Sequence, residues 1–369
     1  MDSFVRCPTS FCNQPLEIIT IFDGMYLYFE FYNFCLTLYN RYRISVQPIT
    51  LTVKEGAAMK VFDLHCDSIG MVKLGYAKGI RSGEGNRHLD VERLLKGGSY
   101  VQCFGLIASK GSSKYEFEYL KDFLNLAHQL IEASPELNFV TNMRELCEGK
   151  INAMITIEDS GCMGGKLENV QYVYDQGVRM FGIIHNQENV YATPNSDDPE
   201  IMAKRLTDAG KAFVEQLCYL RAAVDVSHLN YGGFWDVVDI CKGPFVASHS
   251  CADGLHHHRR NLTDEMIRAI ADHGGLIGIN FCSEFATGNK EMMYLEDIVA
   301  QATYMKKVGG IECLALGSDF DGVPNGFEFK DAAGLQRVAD ALQKAGFTLQ
   351  ETEKIMYRNA MRVFTDICG

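Results

Sequence analysis

The chain has 369 residues, 47% of them hydrophobic and 22% charged, with a formal net charge of −12. That length suits one large domain or two modest ones, and the composition supplies a sizeable core. The acidic balance argues against a nucleic-acid partner, and the 13 cysteines, odd in number and without a C-x-x-C pair, argue against a disulfide framework or a thiolate zinc site and point to a reducing cytoplasm.

Residues 1–58 differ from the rest. The stretch "MYLYFEFYNFCLTLYN" (25–40) is aromatic but interrupted by Glu30, Asn33 and Asn40, and it is too short to span a bilayer. A basic n-region and a small-residue cleavage site are missing. Met59 directly precedes the first clean strand, so residues 1–58 are read as a non-domain extension, with Met59 the expected start.

From Lys60 onward, short apolar runs alternate with helix-like segments, as βα units of a parallel sheet do. Eight runs read as strands: 60–67 (KVFDLHCD), 101–108 (VQCFGLIA), 151–159 (INAMITIED), 179–186 (RMFGIIHN), 222–228 (AAVDVSH), 244–250 (PFVASHS), 276–281 (LIGINF) and 313–322 (CLALGSDFDG). Between them, 118–133 sets Leu120, Phe123, Leu124, Ala127 and Leu130 on one helical stripe. "NLTDEMIRAIADHGG" opens on capping candidates and stops at Gly274 and Gly275, and Thr348 with Glu351 forms a capping box for the last helix. A doubly wound open sheet competes, but no G-x-G-x-x-G or Walker-type loop follows the first strand. The expected fold is therefore α/β, a (β/α)8 TIM-like barrel over residues 59–369.

The polar residues decide for the barrel. Six of the eight runs end in metal-binding or proton-transferring types: His65 and Asp67, Glu158, His185, His228, His249, and Asp319 with Asp321. Barrel strands deliver their C-terminal ends to one mouth, where active sites sit. Several carboxylates and imidazoles gathered there would repel and desolvate one another without a cation to compensate. Imidazole with carboxylate suits zinc or a similar divalent ion, and the donors outnumber what one four-coordinate ion needs. Two ions per subunit are expected, with Glu158 the natural bridge. Arg259 and Arg260, just past the sixth strand, offer a fork for a substrate carboxylate. His256, His257 and His258 are consecutive and cannot all face one ion in regular structure, so they read as loop.

These segments, taken in order, resemble the renal or membrane dipeptidases, a branch of the amidohydrolase-like metal-dependent barrels, over essentially all of residues 60–366. The matching stretches are "DLHCD", "TIEDSG", "IIHNQEN", "DVSHLN", "ASHSCA" with "RRN" beyond it, and "GSDFDGVP". The resemblance implies that His65 and Asp67 hold one zinc, His228 and His249 the other, and that Glu158 bridges them. It implies further that His185 contacts the scissile carbonyl, that Arg260 binds the substrate carboxylate, and that Asp319 shuttles the proton from water to the leaving amine. The implied reaction is hydrolysis of small dipeptides, with tolerance for a D-residue at the C-terminal position. The alternative keeps the metals and changes the substrate to a lactone, a cyclic amide or a related small molecule.

The chain also departs from the family. It ends at "FTDICG" without a hydrophobic tail, so it resembles the cytoplasmic microbial members, without a membrane anchor. Cys282 follows "GINF" where relatives often carry a Tyr near the substrate. Asp321 is expected to be structural, and the family makes a homodimer the expected assembly.

Overall fold

The computed structural model describes residues 58–81, 87–108 and 117–369; apart from Ala58, the expected extension lies outside the described residues. The described residues contain eleven strands: β1 (Val61–Asp63), β2 (Ser99–Ile107), β3 (Leu137–Phe139), β4 (Ile151–Asp159), β5 (Met180–Gly182), β6 (Ala223–Asp225), β7 (Val246–Ser250), β8 (Leu276–Asn280), β9 (Met292–Met293), β10 (Leu314–Gly317) and β11 (Gly326–Phe327). Their ladder runs β2-β1-β10-β8-β7-β6-β5-β4, and β4 pairs back onto β2 to close an all-parallel barrel. Every one of the eight expected runs supplies one barrel strand.

Closure explains why these runs are apolar throughout, because a barrel strand is covered on both faces. Neighbouring residues on one strand serve two different cores. Phe62, Val101, Met154, Met180, Val246, Leu276 and Ala315 pack together with Val363 and Phe364 of the last helix. Phe104, Ile155, Phe181, Ala247, Ile277 and Leu316 pack outward among the surrounding helices. Burying a side chain of this size stabilises by ~1.5–3 kcal/mol, so both layers matter to the fold.

Four strands stop short of their expected polar ends: β1 at Asp63, β5 at Gly182, β6 at Asp225 and β10 at Gly317, so those ends leave the ladder. Beyond β1 and β10 the chain still runs in step: the Asp319 amide donates to the His65 carbonyl (3.1 Å) and the Asp67 amide to the Phe320 carbonyl (2.9 Å). β3 escaped the reading because it is three residues long and occupies only the start of β4, whose later residues pair with β5.

The helices hold closer to expectation. The stripe at Phe117–Glu132 buries Leu120, Phe123, Leu124 and Ala127, but Ile131 takes the buried place in the last turn and Leu130 is half-buried. Thr263 caps Asp264–Asp272, and the Thr348–Glu351 box forms in both directions. The last helix is broken by a π-helical turn at Lys354–Arg358. Asn359, just after it, donates to the carbonyls of Ile311 and Leu314 and so anchors the helix beneath β10. Among the described residues no helix is long and apolar enough to cross a membrane.

Candidate metal centre

The barrel brings His65, Asp67, Glu158, His185, His228, His249 and Asp319 to one mouth. Three overlapping groups form there, each with its donor atoms within 4.8 Å: His65, Glu158 and His249; Glu158, His185 and His228; His65, Asp67 and Asp319. Glu158 sits at the centre with its two oxygens facing different ways. Oε1 lies 3.2 Å from His228 Nε2, 3.5 Å from His185 Nε2 and 3.7 Å from His249 Nε2, while Oε2 lies 3.6 Å from His65 Nε2. Asp67 Oδ2 is 3.6 Å from the same His65 nitrogen.

The donor set fits divalent metal. A tetrahedral ion with ligands at ~2.0–2.1 Å sets its donors ~3.3 Å apart, close to the separations around Glu158. His65 Nε2, Asp67 Oδ1 and Glu158 Oε2 are buried without any hydrogen-bond partner, which is costly for polar atoms that nothing else engages. His228 Nε2 and His249 Nε2 face each other at 2.9 Å. Burial holds both rings well below the usual imidazole range, so both are neutral and their facing lone pairs need a common acid. Burial pushes the Glu158 carboxyl up, and the neighbouring Asp67 charge pushes the same way. His65 responds oppositely: burial opposes its protonation, but Glu158, Asp67 and Asp319 overcome this and raise it to about 10.

An outer layer aims these donors. Ser248 Oγ donates to Asp225 and lies 2.8 Å from His249 Nδ1; its single proton is committed to the carboxylate, so it accepts from the ring and leaves Nε2 as the free lone pair. Asp63 braces the backbone at His65 rather than its ring, accepting from Gln102, from the Ser318 amide and hydroxyl, and from the His65 amide. Asn186 Oδ1 accepts from His228 Nδ1 (3.0 Å), and its amide nitrogen then faces His185 Nε2 at 3.1 Å. The backbone is held in unusual conformations to achieve this. Of the five non-glycine residues with positive φ among the described ones, His228 (68°), Asp319 (59°) and Asp321 (67°) belong to this region.

Arg260 is buried at the wall, where only Nη2 has a partner, the His249 carbonyl at 3.4 Å; Nε and Nη1 have none. Asp319 is held by Asn280 at Oδ2 (3.0 Å), and burial followed by the Asp67 charge pushes its carboxyl up to about 6. Burial brings His185 down to about 4. A cavity of about 620 Å³ opens over these groups, walled on another side by Met71, Ile107 and Phe123.

The remaining candidates sort themselves. Asp321 points away from the cluster, accepting from Ser68 Oγ and the His88 amide (2.6 Å each) beside Arg87, and so ties the loop after β10 to the segment after β1. Arg259 pairs with Asp197 at the surface. The three histidines lie in loop and diverge: His257 pairs with Asp253, while His258 stacks on Phe285 and accepts the Arg260 amide. Cys282 lines the cavity, with burial holding its thiol up at about 11. Asp63, Asp225, Ser248 and Asn186 were missed; the only trace of the first two in sequence is an Asp two or three residues before a candidate His.

Fold and site together define a metal-dependent hydrolase barrel. The sequence model of the membrane dipeptidase family, peptidase family M19, matches residues 55–368, and the chain belongs to that family as a metallodipeptidase. It is 36% identical over 230 residues to an uncharacterized protein in the pqqA 5′ region of Klebsiella pneumoniae, covering 60% of this chain and 84% of that one. With dipeptidase tcpJ of Claviceps purpurea it shares 25% over 296 residues, 76% of this chain and 69% of that protein. A Rhodobacter sphaeroides metallopeptidase, solved with a phosphinate mimic of the dipeptide L-Ala-D-Ala, has the same fold at 23% identity, with a TM-score of 0.76 over 85% of this chain and 100% of that one.

Proposed function

We propose that the chain is a zinc dipeptidase that cleaves small dipeptides, using two ions that share Glu158. His65 and Asp67 would hold one ion and His228 and His249 the other, a division supported by the two directions in which the Glu158 oxygens face. When bound, the ions supply Lewis acidity and a nucleophile at neutral pH.

The chain's own residues do the rest. Arg260 receives the C-terminal carboxylate on guanidinium N–H groups that no protein atom engages, which fixes substrate length as well as position. Asp319 has Oδ2 occupied by Asn280, so Oδ1 takes the proton from the attacking water and returns it to the leaving amine; a carboxyl near 6 is well placed for both halves. His185 is neutral, and its ring, with Nε2 3.5 Å from Glu158 Oε1 at the mouth, would contact the scissile carbonyl. The L-Ala-D-Ala mimic bound by the Rhodobacter relative supports a D-residue at the C-terminal position. The absence of a disulfide among the cysteines of the described residues supports a cytoplasmic setting. Met59 stays the proposed start, to be checked by N-terminal sequencing of the native protein.

The observation that carries this reading is the buried, half-partnered Arg260 beside the cluster. Two charge-assisted hydrogen bonds of ~1.5–3 kcal/mol each correspond to a ~10²–10⁴-fold loss when the guanidinium is removed. Arg260→Met should lose that much kcat/KM on L-Ala-L-Ala and on L-Ala-D-Ala, but little on L-Ala-L-Ala amide, which lacks the carboxylate. No amino-acid release by the zinc-loaded wild type from either dipeptide, or release that a chelator does not stop, would sink the proposal.

A further inference from the structure

Away from the mouth, two cysteines meet across the helices that flank β6. Cys218 lies in the helix Asp208–Leu220 and Cys241 directly follows the helix Tyr231–Ile240; their sulfurs are 3.3 Å apart. The two differ in access: Cys218 is exposed and Cys241 is buried. A redox-responsive thiol needs an accessible sulfur with a resolving sulfur behind it, and this pair has that arrangement.

We propose that Cys218 and Cys241 form an oxidisable dithiol, a modification site whose reactant is a low-molecular-weight disulfide such as oxidised glutathione. The hydrogen bond the two thiols share lowers the Cys218 thiol below its usual range and raises that of Cys241, so the accessible sulfur is also the one that ionises first. In the first step the Cys218 thiolate attacks one sulfur of the small disulfide, forming a mixed disulfide and expelling one thiolate. In the second, Cys241 gives up its proton to solvent and its sulfur attacks Cys218 Sγ, expelling the second small thiolate, which is protonated in turn. Two protein thiols are oxidised and one small disulfide is reduced to two thiols, so the electrons balance. Sulfurs 3.3 Å apart need only a small rotation to reach the ~2 Å bond length. The product joins the ends of the two helices on either side of β6, the strand that carries Asp225 and leads to His228.

The test uses the full-length, zinc-loaded chain, incubated with oxidised glutathione, trapped with N-ethylmaleimide and mapped by peptide mass spectrometry. The expected result is a crosslinked peptide joining Cys218 to Cys241, with both residues protected from alkylation and released again by dithiothreitol. Cys241→Ser should halt at a stable glutathione adduct on Cys218, and Cys218→Ser should carry no adduct at Cys241 while hydrolysing dipeptides at the wild-type rate. Full alkylation of both cysteines after oxidation of the folded protein overturns the proposal. So does a glutathione adduct on Cys218 that persists in the wild type, or a crosslink of either cysteine to a different partner.

Discussion

Replacing Ser248 with Ala removes one hydroxyl and tests whether the layer beneath the cluster controls it. The Ser248 amide still donates to Asp225 Oδ1 (2.9 Å), so the β7 backbone keeps its anchor. What is lost is the link from the His249 ring to the carboxylate. His249 Nδ1–H is then left buried without a partner, a cost of ~1–3 kcal/mol, or the proton moves to Nε2 and competes with the ion for the same lone pair. Loss of an outer partner of a ligating histidine typically weakens metal binding ~10–100-fold, equivalent to ~1.4–2.8 kcal/mol. His65 and Asp67 make no hydrogen bond to Ser248, so only one of the two ions should be affected. Competition with a chromophoric chelator separates the two affinities: Ser248→Ala should show one zinc weakened ~10–100-fold and the other within ~2-fold of wild type. Wild-type affinity at both sites in a folded Ser248→Ala protein would refute the relay, and equal weakening at both would refute the assignment of His249 to one ion alone.

Asp319→Asn keeps the Asn280 contact within reach but cannot take a proton; kcat should fall ~10²–10⁴-fold with two zincs still bound, and retention of a tenth of wild-type kcat would remove Asp319 from the proton path. Metal binding should release protons, because the metal-free cluster carries one on His65, whose pKa is raised to about 10, and calorimetry at pH 7.5 in buffers of different ionisation enthalpy should detect at least one per chain. The same shifts set the pH dependence of the metal-free barrel. The raised His65 pKa contributes stability that is complete below the unfolded value near 6.5 and is lost as pH rises through about 10, while the lowered pKa of His185, about 4, takes stability away as pH falls below 6.5. Melting temperatures in chelator should therefore peak near neutral pH, and a monotonic rise to pH 10 would contradict this. Gly322→Ala would place a Cβ 2.0 Å from Asp67 Oδ2 and 2.2 Å from Asp319 Oδ1, so it should lose zinc and activity while the far-UV spectrum stays native. A fully active variant would show that the two carboxylates have slack to move.

How much of this was legible follows from the physics of a closed barrel. Each strand is apolar on both faces, so eight runs stand out, and parallel connection sends all eight ends to one mouth; His65, Glu158, His249 and Asp319 could be grouped without any knowledge of distance. The strand limits were not legible, because the segments after β1 and β10 run on beside each other outside the ladder, joined through only a few amides. Least visible was the layer that gives the ligands their direction. Asp63 and Asp225 stand inside apolar runs, where a sequence pattern treats a carboxylate as an interruption. In the folded chain both are buried and saturated by serine hydroxyls and backbone amides that come from other strands: Ser318 after β10 for Asp63, Ser248 on β7 for Asp225. Neither serine is near its aspartate in sequence, the separations being 255 and 23 residues. Donor types can thus be read along the chain, but the tautomer and aim of each imidazole are set by contacts across the barrel, which is why Ser248 rather than another histidine is the sharper place to perturb it.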